Sequence, residues 1–223
     1  MPLLTKRKRT VGRRPKSALP SLDSRAAILA AALHVFARKG VDGTTMREVA
    51  KSAKVNNAMI YYHFGDKETL YRAVLSDSFE ALDHIWTHPV FAGDASVREK
   101  IQKYIEGFIR FEHGNDDLRR IMSMEHASCG ENCKWLADKY FHGHYEKLVA
   151  ILKDGMRSGE LKKCDPTFAI SSLIGIVVHN FISQPIAEYV VGKKIDLSVA
   201  RFGKFVTELY FDGLAAKKSS RKQ

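Results

Sequence analysis

Apolar residues recur at spacings of three and four along almost the whole chain, while only six prolines interrupt it and alternating β-branched runs are nearly absent. A period near 3.6 puts such residues on one face of a helix, so the expected fold class is all-α. With 223 residues and 45% hydrophobic content, the chain can bury a substantial core as one large domain or two small ones, which excludes disorder of the whole. No internal repeat is visible. Its three cysteines, an odd number, do not make a disulfide framework. The opening residues MPLLTKRKRT lack a secretory apolar stretch, and the most apolar run, Phe168 to Ile182, is interrupted by Ser171, Ser172, His179 and Asn180. It falls short of the roughly 18 unbroken apolar residues of a membrane helix, so the expectation is a soluble, cytoplasmic protein with no membrane partner.

The formal charge of +11 is unevenly placed. Residues 1 to 16 hold Lys6, Arg7, Lys8, Arg9, Arg13, Arg14 and Lys16, residues 217 to 223 hold Lys217, Lys218, Arg221 and Lys222, and neither tail has an acid. These eleven charges equal the whole surplus, because residues 17 to 216 carry 25 bases and 25 acids. Like-charge blocks repel, cannot pack, and either solvate a terminus or meet a polyanion. The C-terminal tail reads as solubilising. Arg13 and Arg14, in the sequence G-R-R-P-K, suit a narrow A·T-rich minor groove or a non-specific phosphate attraction equally well.

Local signals divide the chain into helices. Ala26 to Lys39 carries Ile28, Leu29, Ala32, Val35 and Phe36 on one face, with Asp23 or Ser24 as N-cap and Gly40 as stop. Thr45 and Glu48 form a capping-box pattern that opens a short helix from about Met46 to Ala53. Asn56 caps a third helix that Gly65 ends, and Asp66 caps a fourth that Pro89 stops. Longer helices follow at about 95–113, 116–128, 132–158, 165–184 and 197–215.

Two short helices joined by a tight turn and braced by a preceding helix form a helix-turn-helix. A reading helix needs an apolar back and a small or polar front that enters a major groove roughly 12 Å wide. In residues 55 to 64, Val55, Ile60 and Phe64 can face the bundle, leaving Asn56, Asn57, Ala58, Met59, Tyr61, Tyr62 and His63 outward or flanking. Asn can pair with adenine through both amide atoms, and Ala or Met can touch a thymine methyl. Taken singly, Tyr61 and Tyr62 could equally be packing aromatics.

Residues 24 to 72, SRAAILAAALHVFARKGVDGTTMREVAKSAKVNNAMIYYHFGDKETLYR, resemble the DNA-binding domain of the TetR family of bacterial transcriptional regulators. The F-x-x-K-G, T-T-x-R-E-V-A and I-Y-Y-H-F-x-x-K-E-x-L motifs stand in order over about fifty residues. The later helices match that family only in length and helicity. The resemblance implies phosphate contacts from Thr45, Tyr61, His63 and Lys67, with Tyr62 beside them, and places Asn56, Asn57, Ala58 and Met59 where operators are read. Phosphate contacts set register and base contacts set sequence. Lys54 departs from the family, which usually has Gly in the turn. Either the turn is altered or Lys54 gains a phosphate.

The resemblance further implies a homodimer on a palindromic operator of double-stranded DNA, released by a small apolar or aromatic inducer. The last two long helices are expected to form the dimer interface through Phe168, Leu173, Val177, Phe181, Phe202, Phe205 and Leu209. A core within the protomer is the other use for that apolar surface. The expected pocket residues are Phe108, Phe111, Met122, His126, Phe141, Tyr145 and His179. The domain plan is a disordered basic arm at 1–20, a DNA-binding domain at 21–72, an effector and dimerisation domain at 73–216 and a basic tail at 217–223. An activator or an effector-independent DNA-binding protein is the alternative. His126, Cys129 and Cys133 would share a face of a continuous helix and could bind a soft metal or sense redox state, but Gly130 and Asn132 suggest a break there. No metal or cofactor is assigned. A Gly-rich phosphate loop, G-x-S-x-G, H-E-x-x-H and paired carboxylates are all absent, so no enzyme is expected.

Overall fold

The computed structural model describes residues 22–214. The basic arm with Arg13 and Arg14, and the tail at 217–223, lie outside the described residues. Ten α-helices run through the rest: α1 (Leu22–Lys39), α2 (Met46–Ala53), α3 (Asn57–Phe64), α4 (Lys67–Asp83), α5 (Val97–His113), α6 (Asp116–Ser128), α7 (Glu131–Leu136), α8 (His142–Ser158), α9 (Pro166–Val191) and α10 (Lys204–Leu214). Two 3₁₀ turns, His84–Thr87 and Pro89–Phe91, follow α4. Single π-helical turns at Ala137–Phe141 and Val199–Gly203 lead into α8 and α10. Among the described residues there is no strand.

The first four helices form a head. Ile28, Leu29, Ala32 and Phe36 of α1 are buried, as are Met46, Val49 and Ala50 of α2 and Ile60 and Phe64 of α3. Each large one contributes about 1.5–3 kcal/mol by leaving water. α4 closes this core with Leu70, Tyr71, Val74 and Leu75, and the Tyr71 ring meets Phe36 edge to face at 5.1 Å. α4 then runs unbroken across residue 72, so head and body share one helix.

In the body, α5 packs against α4, α8, α9 and α10. Gly107 lets α5 pass close to the turn after α4: a Cβ there would sit 2.9 Å from Ile85 Cγ1. α6 returns to the head and packs along α1. His34 and Asp117 bond at 3.1 Å near one end of that contact. Near the other, the buried Tyr71 hydroxyl donates to Glu125.

Several boundaries differ from the sequence expectation. α1 starts at Leu22, so Asp23 and Ser24 lie inside it rather than before it. The helix expected over 132–158 is divided by the π-helical turn at Ala137–Phe141. α9 does not stop at 184 but continues through Pro185 to Val191. Tertiary bonds hold the extra turns: Gln184 Nε2 donates to the Ile195 carbonyl, and Glu188 accepts from Gln184, Lys194 and the Ile195 N–H. At 26 residues, α9 is long and apolar enough by length and composition to cross a membrane. Leu173, Val177 and Phe181 instead put one face of it into the core.

That burial corrects part of the expected dimer surface. Leu173, Val177, Phe181 and Phe202 are buried within the protomer, because α9 must cover α5 and the start of α10. Phe168, Phe205 and Leu209 remain exposed, and Ile182, Ile186, Tyr189, Val190 and Val191 join them. The proposed metal and redox face is also broken. α6 ends at Ser128, and Cys129 takes a left-handed φ of 47°. Cys133 then lies on the next helix, its thiol donating to the Glu125 carbonyl. Among the described residues no group of three His, Cys, Asp or Glu could hold a metal.

Candidate nucleic-acid interface and effector cavity

The helix-turn-helix is built from its caps outward. Thr45 accepts from the Glu48 N–H at 3.3 Å, while Glu48 Oε2 accepts from the Thr45 N–H and hydroxyl, each at 3.1 Å. Lys39 also bonds to Glu48, and that bond, followed by those from Thr45, holds the carboxyl below the usual range. Thr45 is exposed at the start of α2. Lys54 closes the turn at φ 57° and ψ 34°. The turn is therefore the left-handed one a glycine would make, and the lysine bears a strain of about 1–2 kcal/mol.

Asn56 caps α3, its Oδ1 accepting from the Ala58 N–H at 3.0 Å. A bidentate pair with adenine needs both amide atoms, and the cap bond occupies Asn56 Oδ1, whereas Asn57 is exposed at the start of α3. Ala58 is exposed, as are Tyr61 and Tyr62, the latter 74% accessible. Tyr61 and Tyr62 are thus not core aromatics. Met59 is only half exposed and leans on the core. His63 and Lys67 are half-buried and already have partners within the protein. His63 Nε2 bonds to Ser24 Oγ at 3.0 Å, and the Lys67 ammonium donates to the Val41 carbonyl at 2.7 Å. These bonds tie α3 and the start of α4 to α1 and its following turn.

A second site lies in the body, where α4, α5, α6, α8 and α9 enclose a cavity of about 310 Å³. Phe108, Phe111, Met122, His126, Phe141 and Tyr145 are among the residues that line it. His179 does not, because it sits on the exposed side of α9. Phe79 of α4 anchors the aromatic wall, stacking on Phe111 at 6.0 Å and meeting Phe141 edge on at 5.4 Å.

Neither Glu112 nor His144, two polar residues of the cavity lining, is singled out by the sequence expectation. Glu112 is buried, and desolvation holds its carboxyl above the usual range although Arg119 partly offsets this. It continues the apolar Tyr104, Phe108, Phe111 face of α5, so a charge at a core register was the available signal. His144 is buried with both ring nitrogens used: Trp86 Nε1–H donates to Nδ1 at 2.7 Å, and Nε2 lies 2.9 Å from Asp83. An indole N–H can only donate, so Nδ1 carries no proton and Nε2–H donates to Asp83. Burial pushes the His144 pKa down, outweighing Asp83.

A head that offers one short polar and aromatic helix beside a capped partner, joined to a hollow helical body, defines a helix-turn-helix transcriptional regulator. Residues 28–74 match the family described as bacterial regulatory proteins, tetR family. The transcriptional regulator RutR of Escherichia coli strain K12 is 30% identical over 172 residues, covering 74% of this chain and 77% of RutR. The biofilm operon negative regulator IcaR of Staphylococcus aureus strain Newman is 39% identical over 54 residues, 24% of this chain and 29% of IcaR. The solved structure of FadR from Bacillus subtilis with stearoyl-CoA superposes with a TM-score of 0.68 at 23% identity, covering 84% of this chain and 98% of FadR. That likeness shows a common fold. The chain belongs to the TetR family of bacterial transcriptional regulators, and it is not an enzyme.

Proposed function

We propose that the protein is a homodimeric repressor that leaves a palindromic operator when a small apolar or aromatic inducer enters the body cavity. The observation that carries this reading is α4: its first residue, Lys67, is bonded into the head, while Phe79 and Leu82 near its other end line the cavity. A molecule that repositions those two side chains moves a helix that also holds the head. Release requires the inducer to bind the non-matching state better than the DNA-bound one.

On DNA, Thr45, Tyr61, His63 and Lys67 take phosphates with Tyr62 beside them, while Asn57, Ala58, Met59 and the amide N–H of Asn56 face the bases. Arg13 and Arg14 would add minor-groove or phosphate contacts. The dimer surface is the exposed apolar face of α9 and α10, namely Phe168, Ile186, Tyr189, Phe205 and Leu209. Exposed apolar side chains gathered on two neighbouring helices support an interface there. The fatty-acyl ligand in the FadR structure belongs to that protein, and the cavity here is read from its own chemistry.

A mobility shift on the protein's own promoter region tests the reading. One or two dimers should bind a palindrome, and an apolar aromatic ligand should release them. Binding no tighter than to unrelated DNA would sink it. Sedimentation of wild type and Ile186→Asp tests the interface: the wild type should be dimeric at micromolar concentration and the variant monomeric.

A further inference from the structure

Several bonds converge on one oxygen at the end of α6, and two of them come from cysteines. The Glu125 carbonyl accepts from the Cys129 N–H at 2.8 Å, from the Cys133 thiol at 3.1 Å and from the Ser128 hydroxyl at 3.1 Å. Cys129 is the exposed left-handed residue just after α6, and Cys133 is half-buried on α7. His126 is turned away, its Nδ1 bonded to the Met122 carbonyl. The break in the helix thus leaves the two thiols beside one another. Burial pushes the Cys133 thiol up, and the neighbouring Cys129 sulfur adds to the rise.

The loop that holds the pair carries two uncompensated costs. Cys129 keeps a φ of 47°, a conformation that only glycine adopts freely, and Asn132 Oδ1 is buried with no hydrogen-bond partner among the described residues. A rearranged loop can relieve both. Around the pair, α6 and α7 are fastened to α4 just beyond the head. The Glu125 carboxylate accepts from the Tyr71 hydroxyl, the Arg72 guanidinium lies 5.5 Å from the centre of the Trp135 ring, and Lys139 donates to the Ser76 hydroxyl at 3.0 Å. A change in how residues 125 to 139 are held is therefore felt on α4.

We infer that Cys129 and Cys133 are a thiol–disulfide site that low-molecular-weight disulfides close into an intramolecular bridge, and that closure loosens α6 and α7 from α4 and weakens DNA binding. This needs no molecule in the cavity. The accessible Cys129 sulfur, as thiolate, attacks one sulfur of the small disulfide: a bond to Cys129 forms as the old S–S bond breaks, and one thiol leaves with the proton that Cys129 gave up. Cys133 then attacks the Cys129 sulfur. The protein S–S bond forms, the mixed one breaks, and a second thiol leaves with the Cys133 proton. The protein gives up two electrons and two protons, and the small disulfide becomes two thiols. Once bridged, Cys133 has no proton to give the Glu125 carbonyl. So short a loop constrains the unfolded chain little, which suits a switch better than a structural cross-link.

The test treats the reduced full chain with oxidised glutathione, alkylates the remaining thiols and maps the tryptic peptides. Residues Ile121 to Lys134 form one such peptide with both cysteines, and it should appear two hydrogens lighter and unalkylated. Cys164, on the loop before α9, is the internal comparison and should stay open or carry glutathione. Oxidation should weaken binding to the promoter fragment at least about fivefold, the lower end of ordinary coupling between sites. Dithiothreitol should restore it, and Cys129→Ser and Cys133→Ser should show neither change; where a variant fails to fold, the cycle on the wild type decides. Glutathione adducts without a bridge overturn the inference, as does a bridge that leaves affinity unchanged. If the reduced protein binds the fragment no tighter than unrelated DNA, the operator reading fails and thermal unfolding replaces affinity. A bridge that lowers the midpoint then supports the loosening, and one that keeps or raises it overturns it.

Discussion

The head and the body are made of helices with the same apolar spacing, but their interiors differ. In the head, Ile28, Ala32, Phe36, Val49, Ile60 and Leu70 are wholly buried, the helix caps sit at the surface, and the buried Thr44 hydroxyl is satisfied by the Gly40 carbonyl. In the body, equally apolar helices leave a cavity of about 310 Å³ and bury Glu112 and His144 beside it. Periodicity selects a face, but how completely that face is filled depends on how the helices cross. The head's interior is filled, and the body's is not.

That contrast can be broken most directly by core truncation. Phe36→Ala should lower unfolding stability in urea by about 3–5 kcal/mol, because nothing can collapse into the space. Phe141→Ala, which borders a space that already exists, should cost clearly less. Equal losses would mean that the cavity wall is as tightly specified as the head.

The seam between the two regions comes next. Tyr71→Phe removes the only hydroxyl donating to the Glu125 carboxylate across the head–body contact among the described residues, and should cost about 1–3 kcal/mol. If the cost falls below about 0.5 kcal/mol, the seam is held by apolar packing alone.

Acid should separate the regions by a smaller amount. His144 has its folded pKa depressed below 6.5 by burial, so its contribution is fully present above that value and is lost as pH falls through the lower folded pKa. Protonating Nδ1 would also break the bond from Trp86. Between pH 7.5 and 5.0 the wild type should lose more thermal stability than His144→Gln, with a change in tryptophan emission. Parallel curves would remove His144 from the acid response.

The smallest effect belongs to the turn. Lys54→Gly relieves left-handed strain but adds chain entropy to the unfolded state, so a net gain of about 0.5–1 kcal/mol is expected. If Lys54 also meets a phosphate, the same variant lowers the salt slope of DNA binding by about 0.9. An unchanged slope would leave the lysine with strain and no contact.

The head was legible because its signals are local. Thr45 with Glu48, Asn56 and Asp66 fix three helix starts through bonds spanning two or three residues, and all three form. α9 runs past Pro185 because the groups that hold its last turns, Gln184 and Glu188, bond to a loop residue 11 and 7 positions away, beyond the reach of local signals. The aromatic cavity wall could be anticipated from composition on the central helices, whereas His144 between Trp86 and Asp83 could not. Its partners are 58 and 61 residues distant. Four of the seven expected interface residues went inside for a similar reason: an apolar helix does not announce which side its own protomer will claim.

The bond from Lys67 to the Val41 carbonyl has a consequence for speed and sensitivity of recognition. A lysine free in solvent gives up about 1.5–2 kcal/mol of rotamer entropy when it is immobilised, and here much of that loss occurs when the chain folds. An ammonium has three N–H groups, so one can stay on the loop while the others turn to a phosphate. If Lys67 takes a phosphate as proposed, that contact is preordered: DNA would meet a side chain already in place, and changes that loosen the turn at Val41 would weaken binding without touching a nucleotide.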